Sequence, residues 1–171
     1  STPTATPTPT PPDNPYESDP VVIGIENPTN HSYLPLVEQA VAYWEGDASR
    51  YGEYTADYEI RHNVSEPDLR IKFTDEIYRC GNEIGDDILG CAPYPDSIKP
   101  YATAEVQIET RDKYGFYTNA SVLETLKHEF GHLYGIEHGE EPMPLMEPKT
   151  AANLTSQPNA TEQAIPWPDN T

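Results

Sequence analysis

The chain has 171 residues, enough for one domain with a single hydrophobic core. Acidic residues outnumber basic residues by 29 to 10, and a net charge of −19 argues against nucleic-acid binding, which needs a basic surface. No apolar run approaches the ~20 residues of a membrane span, so we expect no membrane span in this chain. We also expect a monomer.

Residues 1–19 alternate threonine with proline, a composition that favours extended conformations and cannot form a core. We therefore predict a linker or stalk at 1–19, with a disordered leader as the alternative. The remaining residues, 20–171, are predicted to form the functional domain. Its upper part would cover 20–138 and its lower part 139–171.

The first predicted elements of the domain are a strand and a helix. The apolar run at 21–25 reads as a buried strand. Apolar residues then recur at helical spacing over 33–44, with Ser32 as a candidate N-cap and Gly46 as the stop.

Four further strands are predicted before the second helix. Alternating patterns mark 54–61, 69–73 and 104–109. The segment 75–100 is rich in Gly, Asp and Pro and reads as a loop, apart from a short strand candidate at 88–92.

The second predicted helix begins near Ser121, because Ser121 and Glu124 fit a capping box. Its inward stripe is formed by Leu123, Leu126, Phe130 and Leu133. The order of strand, helix, strands and helix predicts an α/β (α+β) fold, in which two helices pack against one mixed sheet.

The second helix carries a metal-binding pattern. His128 and His132 are four residues apart, so their imidazoles lie on one helix face and reach one ion. Gly135 allows a left-handed turn that returns His138 as a third ligand. Three imidazoles and one open position indicate a catalytic zinc site, with Glu129 as the general base.

Other interpretations of these histidines are weaker. A lone histidine is more often a structural polar residue, but that reading would have to hold three times within eleven residues. A thermolysin-like enzyme would use a glutamate as the third ligand, where this sequence has His138. A non-catalytic surface binding module that retains a structural zinc site stays open as the alternative to a zinc-dependent endopeptidase.

Two cysteines, Cys80 and Cys91, lie eleven positions apart and are predicted to form a disulfide. A metal-binding pair is disfavoured, since there is no CxxC motif. Glycosylation sequons also favour an extracellular or cell-surface location; they begin at Asn30, Asn63, Asn119, Asn153 and Asn159. The spread of acidic residues favours a halophilic protein over an ordinary acidic secreted one.

The segment His128–His138 reads HEFGHLYGIEH and resembles the HExxHxxGxxH signature of the metzincin metallopeptidases. Metzincins also carry a methionine in a tight turn beneath the zinc. Met146 lies eight residues after His138, which is similar to the matrixin branch (matrix-metalloproteinase-like enzymes), whereas the spacing of Met143 fits less well. The resemblance covers about residues 20–150.

The resemblance implies a zincin fold: a twisted, mixed five-stranded sheet with an antiparallel edge strand, two long helices and a small C-terminal subdomain. It further implies one catalytic zinc ion and peptide or protein substrates that pair with the edge strand. No calcium site is assigned. The substrate-binding candidates are Leu89, Gly90, Cys91, Ala92, Pro148 and Thr150.

Overall fold

The computed structural model describes residues 1–7, 13–85 and 88–149. Its helices are α1, Leu34–Glu45, and α2, Asn119–Leu133. Its strands are β1 Val21–Glu26, β2 Tyr58–Ile60, β3 Leu69–Thr74, β4 Arg79–Cys80, β5 Glu83–Ile84, β6 Gly90–Cys91, β7 Ala104–Glu109, β8 Arg111–Asp112 and β9 Gly115–Phe116. Short 3-10 turns lie at Asp47–Tyr51 and Pro95–Ser97.

Five strands form the main sheet in the order β2-β1-β3-β7-β6. The first four strands are parallel to one another. Strand β6 pairs antiparallel with β7, and Cys91 lies opposite Gln107. The predicted mixed five-stranded sheet with an antiparallel edge strand and two helices is therefore confirmed. The edge strand is shorter than the predicted 88–92.

The central strands follow the predicted alternation. In β3, Leu69, Ile71 and Phe73 are fully buried, whereas Arg70 and Lys72 are half-buried. A strand places successive side chains on opposite faces, so one face of β3 enters the core. The buried residues of β7 alternate in the same way.

Helix α1 packs against α2. The indole Nε1–H of Trp44 donates to the Lys127 carbonyl at 2.9 Å and ties the two helices together. Gly46 ends the helix as predicted. The predicted N-cap Ser32 is wrong, since Tyr33 occupies that position. The Tyr33 side chain makes no capping hydrogen bond. Pro35 in the first turn has no backbone N–H, so one fewer donor needs a cap.

Helix α2 begins two residues before the predicted start. Thr118 is its N-cap, and the Thr118 Oγ1 accepts a hydrogen bond from the Ser121 backbone N–H at 3.2 Å. Ser121 therefore lies inside the first turn, and the predicted capping box does not form. The inward stripe also shifts, since Val122 is buried and Leu123 only partly.

The strand predicted at 54–61 contains only β2, because Tyr54 turns inward. Its ring stacks on Tyr134 with centroids 4.8 Å apart, and its hydroxyl donates to the Leu133 carbonyl at 2.7 Å. Tyr58 joins the same cluster through a 2.8 Å hydrogen bond between its hydroxyl and that of Tyr134. These tyrosines fix the end of α2, where the histidine motif lies.

Part of the predicted linker packs on the domain. Tyr16 is 2% exposed and lies in the core. The Ser18 hydroxyl donates to Asp68 at 3.0 Å, and the other carboxylate oxygen of Asp68 accepts from the Val22 backbone N–H at 2.8 Å. The packed domain thus begins before the predicted first strand.

Two small hairpins were not predicted. One joins β4 to β5 inside the segment predicted as a loop, and the other joins β8 to β9. Strands of two residues are too short to leave an alternating pattern in the sequence. Among the described residues, no helix is long and apolar enough to cross a membrane.

The acidic charge is mostly unpaired in the described ranges. They contain two ion pairs between side chains, Arg61 with Glu59 at 2.8 Å and Lys149 with Glu124 at 3.7 Å.

We expect the thermal midpoint of the protein to rise as NaCl increases from 0.1 to 3 M, because salt screens repulsion among the remaining charges. Calorimetry across this range measures the effect, and a flat midpoint would contradict salt adaptation.

Candidate metal centre and cleft

Three histidines converge at the C-terminal end of α2. His128 and His132 lie in consecutive turns of the helix, and His138 follows a turn that reverses the chain. One ring nitrogen from each lies within 4.8 Å of the others, and the Nε2 atoms of His128 and His138 are 3.1 Å apart. These three histidines can hold one metal ion.

The turn after α2 depends on Gly135. Its φ is +87°, the left-handed region that favours glycine. The Gly135 N–H donates to the His132 carbonyl, and the Ile136 N–H donates to the Gly131 carbonyl, both at 3.0 Å. This Schellman pattern satisfies the last helical carbonyls and directs the chain back toward His138.

Backbone carbonyls orient the two helical imidazoles. The Nδ1 of His128 lies 2.8 Å from the Leu145 carbonyl oxygen, and the Nδ1 of His132 lies 2.8 Å from the Ile136 carbonyl oxygen. A carbonyl oxygen only accepts hydrogen bonds, so each Nδ1 carries the proton. Each Nε2 then keeps its lone pair, the form in which imidazole binds a metal.

The donor set fits zinc. Tetrahedral Zn–N bonds of about 2.0–2.1 Å place two ligand nitrogens about 3.3 Å apart, close to the 3.1 Å between His128 and His138. Burial lowers the pKa of His128 to about 4 and also lowers that of His132, which keeps both imidazoles neutral at neutral pH. Three nitrogen ligands leave a fourth tetrahedral position for water or substrate.

Glu129 lies between the histidines and the edge strand. It is 6% exposed and lines the same cleft as the three imidazoles. A Cβ atom added at Gly90 would meet the Glu129 Oε1 at 2.4 Å, so the backbone of β6 lies directly against the carboxyl group. Burial, with a further contribution from the charge of Glu83, raises the pKa of Glu129 to about 8.

This raised pKa predicts how pH changes the stability of the metal-free protein. Between pH 4.5 and about 8 the folded state keeps the Glu129 proton and the unfolded state has lost it, so this group lowers stability as pH rises. Glu129→Gln removes that dependence. With a chelator present, we measure the free energy of unfolding in urea for the variant and for wild type as a function of pH. Between pH 4.5 and about 8, the difference should grow in favour of the variant by up to about 1.4 kcal/mol per pH unit. A difference that stays constant with pH would contradict the raised pKa of Glu129.

The close contact at Gly90 gives a second prediction. Gly90→Ala must displace the Glu129 side chain, because the added Cβ atom would meet its Oε1, Cγ and Cδ atoms. A misplacement of about 1 Å in an active site costs on the order of 100-fold in rate. We expect turnover of a fluorogenic peptide to fall by about 10- to 100-fold with little change in the thermal midpoint. Unchanged turnover would show that Glu129 is not positioned by β6.

Met146 packs against helix α2 at Gly131. It is fully buried, and a Cβ atom added at Gly131 would meet its Sδ at 2.4 Å. The Met146 carbonyl accepts from the Gly139 N–H at 2.9 Å, which closes the loop that follows the third histidine. The competing candidate, Met143, is 39% exposed and lies away from this contact.

The three histidines lie in a cleft of about 1270 Å³. The disulfide between Cys80 and Cys91 is present and joins the β4–β5 hairpin to the edge strand. The substrate-binding candidate Thr150 lies outside the described residues. The other candidates line the cleft: Leu89, Gly90, Cys91, Ala92 and Pro148.

Several features of the site were missed by the sequence reasoning. Tyr94 lines the cleft, and its ring lies 5.2 Å from that of His132. The carbonyls that orient the imidazoles were not identified, because any residue provides a carbonyl. The glycines at positions 90 and 131 carry no local signal, since their role is a close approach between distant segments.

No family model and no curated protein matches this chain. A crystal structure of myroilysin is similar at 20% identity, with 70% of this chain and 44% of that chain covered and a TM-score of 0.39. A second structure of myroilysin gives 20% identity, coverage of 70% and 42%, and a TM-score of 0.38. This chain spans less than half of the length of either structure.

Proposed function

We propose that the protein is a zinc-dependent endopeptidase. The observation that carries the proposal is the convergence of three imidazoles beside a buried glutamate in one cleft. His128, His132 and His138 would hold the zinc ion. A zinc ion in such a site supplies Lewis acidity, which activates water and stabilises developing negative charge on a carbonyl oxygen.

Glu129 is the proposed general base. Its carboxylate accepts a proton from the attacking water and delivers it to the nitrogen of the leaving amine. The carboxyl group lies against β6, so it is held at the boundary between the histidines and the strand. A zinc ion held by the three histidines would favour the ionised form of Glu129, and this would offset the effect of burial on the Glu129 pKa.

The edge strand is the proposed binding surface for the substrate backbone. Within the described part of the chain, strand β6 pairs only with β7, so its other edge can pair with an extended peptide. Backbone hydrogen bonds give affinity with little demand on sequence, which suits peptide or protein substrates. Because Gly90 and Cys91 belong to β6, an added peptide would lie beside Glu129.

We further propose a metzincin of the matrixin-like type. The third histidine follows the glycine turn, and the buried Met146 lies under Gly131 in the helix that carries the other two. Both features support the resemblance of the sequence motif. The disulfide supports an oxidising, extracellular or cell-surface location, and we propose that a monomer acts there.

Hydrolysis of a quenched fluorescent peptide library tests the function. We expect cleavage that a chelator abolishes and stoichiometric zinc restores. A protein that binds one zinc ion but cleaves no peptide would be a binding module with a structural zinc site. Cleavage that survives complete removal of metal would contradict the proposed chemistry.

A further inference from the structure

The β4–β5 hairpin, residues 79–84, forms one wall of the cleft. It lies between two buried anchors, Ile77 at 2% exposure and Leu89 at 4%. Between these anchors the hairpin itself is exposed, and Ile84 is 69% exposed. A segment that buries so little apolar surface gains little stability from packing.

The disulfide fixes which face of the hairpin meets the cleft. Cys80 and Glu83 are directly opposite each other in the antiparallel pair, so their side chains lie on the same face. Cys80 is bonded to Cys91 in the edge strand. The face that carries Glu83 is therefore held toward β6, and Glu83 lines the cleft.

The cleft around Glu83 is negatively charged. Glu83 and Glu129 both line the cleft. Glu105 lines the cleft as well. Histidines aside, Lys149 is the single basic residue among the described lining residues, and it lies 3.7 Å from Glu124.

Exposed apolar surface lies in the same cleft. Tyr94, which is 41% exposed, lines it together with the half-buried Ala92 and Pro93. Lysine and arginine side chains bury their aliphatic stems on apolar surface while the charged group reaches a polar partner. A carboxylate beside exposed apolar side chains is complementary to such a residue.

We propose that Glu83, held over the cleft by the Cys80–Cys91 disulfide, is a specificity-determining residue that selects substrates with a lysine or arginine side chain facing the hairpin. This inference rests on the proposed peptidase function, because it assigns a substrate class to that site. Glu83 binds the substrate side chain and takes no part in the proton transfers of Glu129.

Binding measurements test the selectivity without requiring hydrolysis. Labelled peptides in matched pairs, lysine against norleucine at one position, are scanned along both sides of the scissile bond. Their Kd values for the zinc-loaded Glu129→Gln protein are measured by fluorescence anisotropy at low salt. We expect one position at which lysine binds about fivefold tighter, the upper range for an exposed charge pair.

Adding Glu83→Gln to this protein should reduce the lysine preference to less than twofold. Glu38→Gln is the matched control, because it removes the same charge from the exposed face of α1, and it should keep the preference. Replacing Cys80 and Cys91 together by serine should also abolish the preference, although Glu83 is retained. The ratio of kcat/KM values for the same peptide pairs, measured with Glu129 intact, should follow the ratio of Kd values.

Three results would overturn the proposal: no position prefers lysine by more than twofold, the preference persists in Glu83→Gln, or Glu38→Gln loses it equally. Persistence in the serine double variant would overturn the role of the disulfide alone. If the peptides bind selectively but wild type cleaves none of them, the peptidase function fails and the binding preference stands.

Discussion

Glu129→Gln is expected to keep the zinc and the fold but to lose nearly all peptidase activity. The amide is almost isosteric with the carboxyl group, so the contact with Gly90 and the packing of α2 should survive. It cannot accept the proton of the attacking water. General-base transfer contributes about 10²- to 10⁴-fold, and we expect kcat to fall within or beyond this range.

The measurement combines bound zinc, determined by elemental analysis, with turnover of a fluorogenic peptide. Glu124→Gln is a matched control, since Glu124 lies on the same helix with an exposed side chain, and it should keep both zinc and turnover. Retention of more than about a tenth of wild-type turnover by Glu129→Gln lies outside the general-base range and would refute the assigned role.

His138→Ala is expected to weaken zinc binding itself. Removing even the outer partners of metal ligands costs about 10- to 100-fold in affinity, and loss of one ligand of three should cost at least about 100-fold. His138 is exposed and lies beyond the end of α2, so its removal should leave the helix intact. The expected result is a folded protein with little zinc and no turnover.

Competition with a chromogenic chelator measures this affinity, and circular dichroism checks the fold. His62→Ala is the matched control, because His62 is exposed and lies outside the histidine cluster. An unchanged zinc affinity in His138→Ala would show that the third ligand comes from another residue. Together with Glu129→Gln, this variant separates metal binding from proton transfer.

Much of the fold follows from patterns within single segments. The alternation at 69–73 and 104–109 predicts β3 and β7, because one face of each strand is buried. The helical repeat at 33–44 predicts α1 in the same way. These patterns reflect which residues of a segment are buried, so they can be read from the sequence of that segment alone.

The errors arise where a competing cap or a tertiary contact outweighs the predicted local signal. The cap assigned to Ser121 fails because Thr118, three residues earlier, caps the helix. The strand predicted at 54–61 is shortened because Tyr54 packs against the end of α2. Local sequence does not show which of two competing caps or contacts the folded chain selects.

The candidate site divides in a similar way. Spacing alone predicts that His128, His132 and His138 converge, and the structure brings them together. The position of Glu129 against Gly90 depends on pairing between β6 and β7, which joins segments far apart in the sequence. Such close approaches require the three-dimensional arrangement.

Titration of the metal-free protein with zinc tests the central claim most directly, if bound zinc and peptide turnover are followed in the same samples. The three-histidine site predicts that both rise together and reach a plateau at one zinc ion per chain. Zinc bound at one equivalent without turnover on any peptide, or turnover that does not depend on zinc, would contradict a zinc-dependent peptidase.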